Sequence, residues 1–246
     1  IHKKIPKIYR QFIEAQMIDI SSQPMEVAPT AHYSMGGIRV KASTHESDVT
    51  GLFAAGEVAG GLHGANRLGG NSLAEILIFG KVAGKHASLF SEKLRLQPRS
   101  QKSINLAHEN IDQIIKKGSQ FAISMQEELR TIMWKYCGVI KDSSKLLKGL
   151  QKLDQLKDLS KNIEVRISDN NFSDLINTLD FKSSIIAAEA TFKSAIMRKE
   201  SRGAHFRADF PTINTQKSFN LINELKNNEL SVETIDTKKL NSELLN

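Results

Sequence analysis

A single cysteine, Cys137, is all the thiol chemistry the sequence has. An internal disulfide framework is excluded, which fits a reducing compartment. No apolar stretch reaches the ~18 to 20 residues that span a bilayer, and no signal peptide opens the chain. His and Cys do not cluster at metal-ligand spacing, and no repeat of fixed period emerges. The G-x-S-x-G elbow and the P-loop are both missing, so hydrolase and nucleoside-triphosphatase chemistry lose their support. A G-x-G-x-x-G dinucleotide fingerprint is missing as well. Aromatics make up only 6% and do not interleave with the basic residues, so the net charge of +7 reads as solvated surface rather than as a nucleic-acid footprint. Ile1 is not a methionine and the opening residues already have the character of a helix interior, so the chain is expected to be a piece of a longer polypeptide.

What is present is ordinary for a soluble globular protein, with 40% hydrophobic and 25% charged residues over 246 positions. That length supports a sizeable core in one or two domains. The most informative stretch runs from Gly51 to Lys85, with seven glycines between Gly51 and Gly70 and then a helix-forming apolar run. Such a segment brings a closely approaching backbone to the start of a helix.

Around it the pattern is strand, glycine-rich turn, helix. Pro6 suits a first helical turn, and Ile8, Phe12, Ile13 and Met17 recur on one face of a docking helix. Gln23-Pro24 and Ala28-Pro29 force extended backbone, so Glu26 to Tyr33 should be strand-like. Ile38 to Lys41 alternates as a half-buried strand does, and Leu52 to Ala55 resembles a short buried one. Ser72 is placed to cap the next helix with Glu75 completing a capping box, and Leu73, Ile76, Leu77, Gly80, Ala83 and Gly84 should form its inner face. After Pro98 the pattern turns helical. Helices are expected over Ser103 to Gly118, Ser119 to Gly138, Ser143 to Leu159 and Asn171 to Ser201, the last with a break near Asp180, as an all-helical bundle. Beyond Pro211 lies a polar tail, extended or mobile in part.

Several residues are candidates for chemistry. Arg67, in a glycine-bounded loop, carries a planar cation suited to gripping a carboxylate or phosphate at two points, or is a charge satisfied by loop carbonyls. Ser72 and Leu73 open a helix whose free N–H groups and dipole favour an anionic or electron-rich atom; for Ser72 simple capping is the alternative. His32, before Gly36-Gly37, is a structural histidine or a donor to a carboxylate. Glu57 stands where nucleotide-binding folds put an acid that grips sugar hydroxyls. His63 and Asn66 serve equally as ligands or as braces for the loop.

Together, Pro29 to Ile38, Gly51 to Glu57 and His63 to Leu73 resemble the flavoprotein subunits of succinate dehydrogenases and fumarate reductases, relatives of L-aspartate oxidase. Glu128-Leu129-Arg130 with Met133-Trp134 and Gly138, and then Glu200 to His205, resemble the helical domain of that family. The resemblance covers about Ile1 to Pro211. It implies an α/β plus all-α fold: the C-terminal part of a Rossmann-like FAD-binding domain, with the end of a capping domain, followed by a helical bundle. The implied boundaries are 1–28 for the capping-domain end and linker, 29–97 for the FAD-binding part, 98–210 for the helical domain and 211–246 for the tail.

The resemblance also implies FAD as cofactor and hydride transfer between succinate or fumarate and the flavin. His32 and Arg67 match the residues that bind the substrate carboxylates, Glu57 the acid that hydrogen-bonds FAD, and Ser72 and Leu73 the pair whose backbone N–H groups meet the flavin ring. The family's proton-transferring arginine and the histidine that attaches FAD in some members have no counterpart here. The chain is therefore expected to need the N-terminal FAD-binding half of the same protein, and neither to bind FAD tightly nor to turn over alone. An iron-sulfur subunit is implied too, as is a cytoplasmic position, peripheral on the inner face of the cell membrane through partner subunits.

Leu68 to Ser72 resembles the dehydrogenases and reductases more than the aspartate oxidases, whereas the segment around Trp134 resembles both. L-aspartate oxidation is thus the alternative activity. A non-catalytic fragment or separately encoded subunit is a second alternative.

Overall fold

The computed structural model describes residues 1–26, 32–94, 100–168, 171–216 and 218–237. The chain divides into two compact units, residues 1–34 and 35–246.

In the first unit, helix α1 (Pro6–Gln16) has its proline in the first turn, where a missing N–H costs nothing. It ends one residue short of the expected Met17, which takes a left-handed conformation; its N–H closes on the Ile13 carbonyl and the Ile18 N–H on the Phe12 carbonyl. Met17 is therefore turned out to solvent, 88% exposed. Most of the expected strand Glu26 to Tyr33 lies outside the described residues, and its described ends, Glu26, His32 and Tyr33, belong to no strand.

The second unit opens with a small meander in place of full strands. Ile38 bridges Ala59 in parallel, Val40 bridges Ser47 and Glu46 bridges Phe53 antiparallel. Each pairing ends after one residue because the chain curls away, through His45 at φ 57° and Gly51 at φ 82°. Gly37 is required by close approach: a Cβ there would meet the Val58 carbonyl oxygen at 2.2 Å.

Helix α2 (Asn71–Lys93) lies on this meander. The His45 ring stacks on Phe79 at 4.5 Å, and Phe53 meets Phe90 edge-on at 6.2 Å. The expected helical period holds, but its phase does not. Glu75 and Ala83 are buried and Phe79, Val82, His86 and Phe90 half-buried, whereas Leu73, Ile76, Leu77, Gly80 and Gly84 are exposed. The capping box also fails. The N-cap is Gly70, which has no side chain to cap with, and Glu75 points inward to His63 instead of back to the helix start.

The helical region comprises α3 (Gln101–Ile114), α4 (Ala122–Cys137), α5 (Ser143–Ser160) and α6 (Ser173–Met197). Side-chain caps start two of them, Ser100 accepting from the Ser103 N–H and Asp142 from the Lys145 N–H. Helices α4, α5 and α6 close around Met125, Leu129, Ile132, Leu146, Leu153, Leu156, Phe181, Ile185 and Phe192. α3 buries no residue. α6 runs unbroken past Asp180, because the next residue, Phe181, is locked in the core and keeps the helix in register.

Between α4 and α5, β1 (Ile140–Lys141) pairs in parallel with β2 (Phe206–Arg207). The polar tail contains an antiparallel hairpin, β3 (Phe219–Lys226) and β4 (Glu229–Asp236), turning at Asn227 and Asn228, both with positive φ. It is seated on α6. Arg198 donates to the Phe219 carbonyl and lies 4.4 Å over that ring, and the Lys193 ammonium donates to the Leu230 carbonyl.

Candidate functional site

Three stretches of the second unit converge on the loop that carries Arg67. The first is the Met35-Gly36-Gly37 turn. The Arg67 backbone N–H donates to the Met35 sulfur at 3.1 Å, and its guanidinium reaches the Leu68 carbonyl at 3.4 Å. Beside this turn, the Ile38 N–H donates to the Val58 carbonyl and the Gly60 N–H to the Ile38 carbonyl, which fixes the approach to Glu57 and the glycines that follow.

The second stretch is α2. The Nε2 of His63 and a carboxylate oxygen of Glu75 are 2.7 Å apart, with both side chains almost fully buried. Burying a carboxylate is costly unless it is hydrogen-bonded, so this contact both satisfies Glu75 and fixes the entry to the arginine loop. His63 is therefore a brace. The sequence leaves its role open and gives Glu75 a different one. The available signal was the phase of Glu75, in step with Phe79, Val82, Ala83 and Phe90 on one helical stripe.

The third stretch is the turn after α6. The Ala204 N–H donates to the Ala65 carbonyl at 3.0 Å. This contact has no sequence signal beyond the Gly203-Ala204 dipeptide itself.

The helix start is open. Among the described residues, nothing lies within 4 Å of where a Cβ on Gly69 or Gly70 would stand. The Asn71 N–H turns back to the Leu68 carbonyl and the Leu73 N–H to Gly70, while Ser72's N–H takes no backbone acceptor among the described residues. Leu68 and Leu73 present exposed apolar side chains on either side. Such a place suits an electron-rich edge of a flat apolar ligand: donors and the positive end of the dipole in the centre, apolar surface around them.

The other expected site residues are placed as follows. Glu57 lies exposed in the turn after Gly56, at the head of the glycine-rich run. His32 is exposed in the first unit, whereas Arg67, Glu57, Ser72 and Leu73 all belong to the second. Among the described residues no group of three or more His, Cys, Asp or Glu could hold a metal ion.

The platform behind Ala204 is dense in charge. Glu200, 2% exposed, takes Arg198, Arg202 and the Asn214 N–H. Burial pushes its carboxyl up, but the hydrogen bonds from Arg202, the Asn214 N–H and Arg198 outweigh that and hold its pKa at about 2. Arg207, 1% exposed, grips Asp209 with two nitrogens at 2.8 Å and donates to the Ala195 carbonyl and the Ser143 hydroxyl. Burial lowers the pKa of His205, with Lys141, Arg198 and Arg207 acting the same way. Its Nε2 lies 3.2 Å from the Arg198 carbonyl, which pulls in the opposite direction.

The chain is similar to several known proteins. Residues 1–73 match a family model described as FAD binding domain, and residues 126–245 one described as fumarate reductase flavoprotein C-term. A Methanocaldococcus jannaschii protein described as an uncharacterized FAD-dependent oxidoreductase is 39% identical, over 96% of this chain and 42% of its own length. The fumarate reductase flavoprotein subunit of Haemophilus influenzae is 34% identical, over 85% of this chain and 36% of its own. Among solved structures, the Mycobacterium smegmatis Sdh1 complex with UQ1 superposes with a TM-score of 0.84 at 32% identity, covering 96% of this chain and 40% of that one. The chain thus spans about two fifths of the length of the relatives it matches.

Proposed function

The chain belongs to the family of succinate dehydrogenase and fumarate reductase flavoprotein subunits, whose cofactor is FAD, and on that premise we propose that it forms the carboxylate-gripping and flavin-facing part of an oxidoreductase interconverting succinate and fumarate. The observation that carries this reading is the pairing of a tethered arginine loop with an open helix start four residues further on. FAD fits the residues present: the side-chain-free cradle at Gly69-Gly70, the Ser72 N–H and the flanking Leu68 and Leu73 suit an isoalloxazine edge.

In this reading Arg67 and His32 bind the two substrate carboxylates. The guanidinium fork takes two oxygens at once, which fixes the direction of the reacting carbon as well as its position. Its charge also lowers the cost of electron density building up next to the reacting bond. Ser72 and Leu73 hold the ring at the helix start, whose dipole favours negative charge there, although the Leu73 N–H is turned to Gly70 in this structure. Glu57 accepts hydrogen bonds from cofactor hydroxyls. Bound FAD supplies the hydride acceptor or donor. None of this chain's residues is assigned the proton transfer.

Among the described residues no helix is long and apolar enough to cross a membrane. Attachment to the inner face of the cell membrane is proposed to come through other chains, and electron exchange through an iron-sulfur subunit. The test is an assay of the complete FAD-loaded flavoprotein with succinate, fumarate and L-aspartate, using an artificial electron acceptor or donor. Turnover of the C4 dicarboxylates is the expected result. Turnover of L-aspartate alone would replace this reading with that of an aspartate oxidase.

A further inference from the structure

We propose that the Gly203-Ala204 turn, which belongs to the helical region, is a positioning element for Arg67: it sets the arginine loop from behind, through backbone contact with Ala65. The inference rests on the function proposed above and adds to it residues more than 130 positions away in sequence.

Two independent features point to it. The Ala204 N–H donates to the Ala65 carbonyl at 3.0 Å, two residues before Arg67. Gly203 has φ 57°, and a Cβ there would meet the Ala65 carbonyl oxygen at 2.2 Å, its carbon at 2.5 Å and its Cβ at 2.7 Å. The obstacle is backbone, which cannot swing aside as the end of a flexible side chain can. Glycine is thus required twice, for the left-handed conformation and for the contact distance.

A positioning element must itself be stiff, and this one is. The turn closes on itself through the Arg202 N–H to the His205 carbonyl and the His205 N–H to the Arg202 carbonyl. Arg202 holds both oxygens of Glu200 and the Asn214 carbonyl. The buried Ser201 receives the Arg207 N–H on its hydroxyl and donates to the Phe210 carbonyl. Behind these stands the end of α6, locked by Arg207.

The loop it meets is also tethered on either side of Ala65. His63 is fixed by Glu75 and the Arg67 N–H by Met35, and Ala65 lies between them on an exposed stretch. The Ala204–Ala65 contact sits in the middle of this span, where a shift would carry over to Arg67. A guanidinium that must meet a carboxylate with two nitrogens tolerates displacements of only about 0.5 Å. Ordinary domain packing would also produce a contact here, but it predicts a loss of stability with no particular effect on dicarboxylates.

The experiment uses the complete FAD-loaded flavoprotein and the variants Gly203→Ala and Arg202→Gln, the second softening the platform without touching the loop. Malonate, a dicarboxylate whose single methylene leaves no CH2–CH2 bond to dehydrogenate, is titrated while flavin absorption is followed. FAD content, steady-state kinetics with succinate and amide hydrogen exchange of residues 63–67 are measured alongside. Gly203→Ala should weaken malonate binding and raise KM by about tenfold to a hundredfold, with faster exchange at 63–67 and unchanged FAD content. Arg202→Gln should do the same to a smaller degree, and it decides the matter should Gly203→Ala fail to fold. Unchanged malonate affinity in the folded variants, whatever their stability, would overturn the positioning role alone. Wild-type protein that takes no malonate would instead overturn the function proposed above.

Discussion

His63 and Glu75 form a buried pair at 2.7 Å that ties the arginine loop to the helix beginning at its far end. One contact therefore fixes the distance between the residue proposed to hold the substrate and the helix start proposed to hold the cofactor.

Replacing Glu75 by Ala removes a partner of a nearly inaccessible imidazole nitrogen. The expected cost is about 1–3 kcal/mol in denaturant unfolding, the usual penalty for a buried polar group left unmade. In the complete flavoprotein the KM for succinate should rise roughly tenfold as the loop loosens. A stability loss with an unaltered KM would show that Arg67 holds its place without this brace.

Arg67→Lys keeps the charge and loses the fork. Turnover is expected to fall by about a hundredfold or more, with unfolding curves superimposable on those of the parent. Near-normal turnover would remove Arg67 from the site.

Gly149 on α5 faces Phe192 and Tyr136, and a Cβ there would meet the Phe192 ring at 2.4 Å and the Tyr136 Cβ at 2.6 Å. Gly149→Ala should cost about 1–3 kcal/mol from overpacking, and Phe192→Ala about 3–5 kcal/mol from the cavity it leaves. The double variant should lose less than the sum, because deleting the ring makes room for the methyl. Strict additivity in urea unfolding would refute the contact.

Glu200 gives an acid dependence with a definite sign. Its folded pKa of about 2 lies below the ordinary 4.5, so the folded state favours the charged form. The stability this provides is fully present above pH 4.5 and is lost as the pH falls from there towards 2. Unfolding free energies measured across that window should decline steeply in the parent and less so in Glu200→Gln. Parallel curves would contradict the assignment. Asp209, held far below the usual range chiefly by Arg207 and further by Ser143, adds to the parent's slope but not to the difference.

Much of this was legible from residues alone. The glycine-rich run, Arg67 and the helix that follows stand out because glycine spacing and helical period are local properties. The phase of α2 was only half legible: its sequence carries two competing stripes, and the one with Glu75, Phe79, Val82, Ala83 and Phe90 is chosen by His63, twelve residues upstream, and by His45 stacking on Phe79, both outside the helix. Asp180 looked like a break because only the burial of Phe181 shows why the helix continues. The hairpin escaped notice because its turn is Asn-Asn without glycine and its strands are mostly exposed. The grip of Ala204 on Ala65 is a backbone contact, and backbone contacts between distant segments leave almost no mark on composition.

The two faces of α2 divide the helix by the kind of defect each would produce. Changes at Phe79, Val82 or Ala83 strike the packing of this unit and should register as lower melting temperatures. Changes at Leu73 and Leu77 on the outer stripe, 66% and 74% exposed, should leave melting nearly untouched. A saturation scan read once for melting and once for flavin retention would then show two interleaved periods of 3.6 residues, out of step along a single helix.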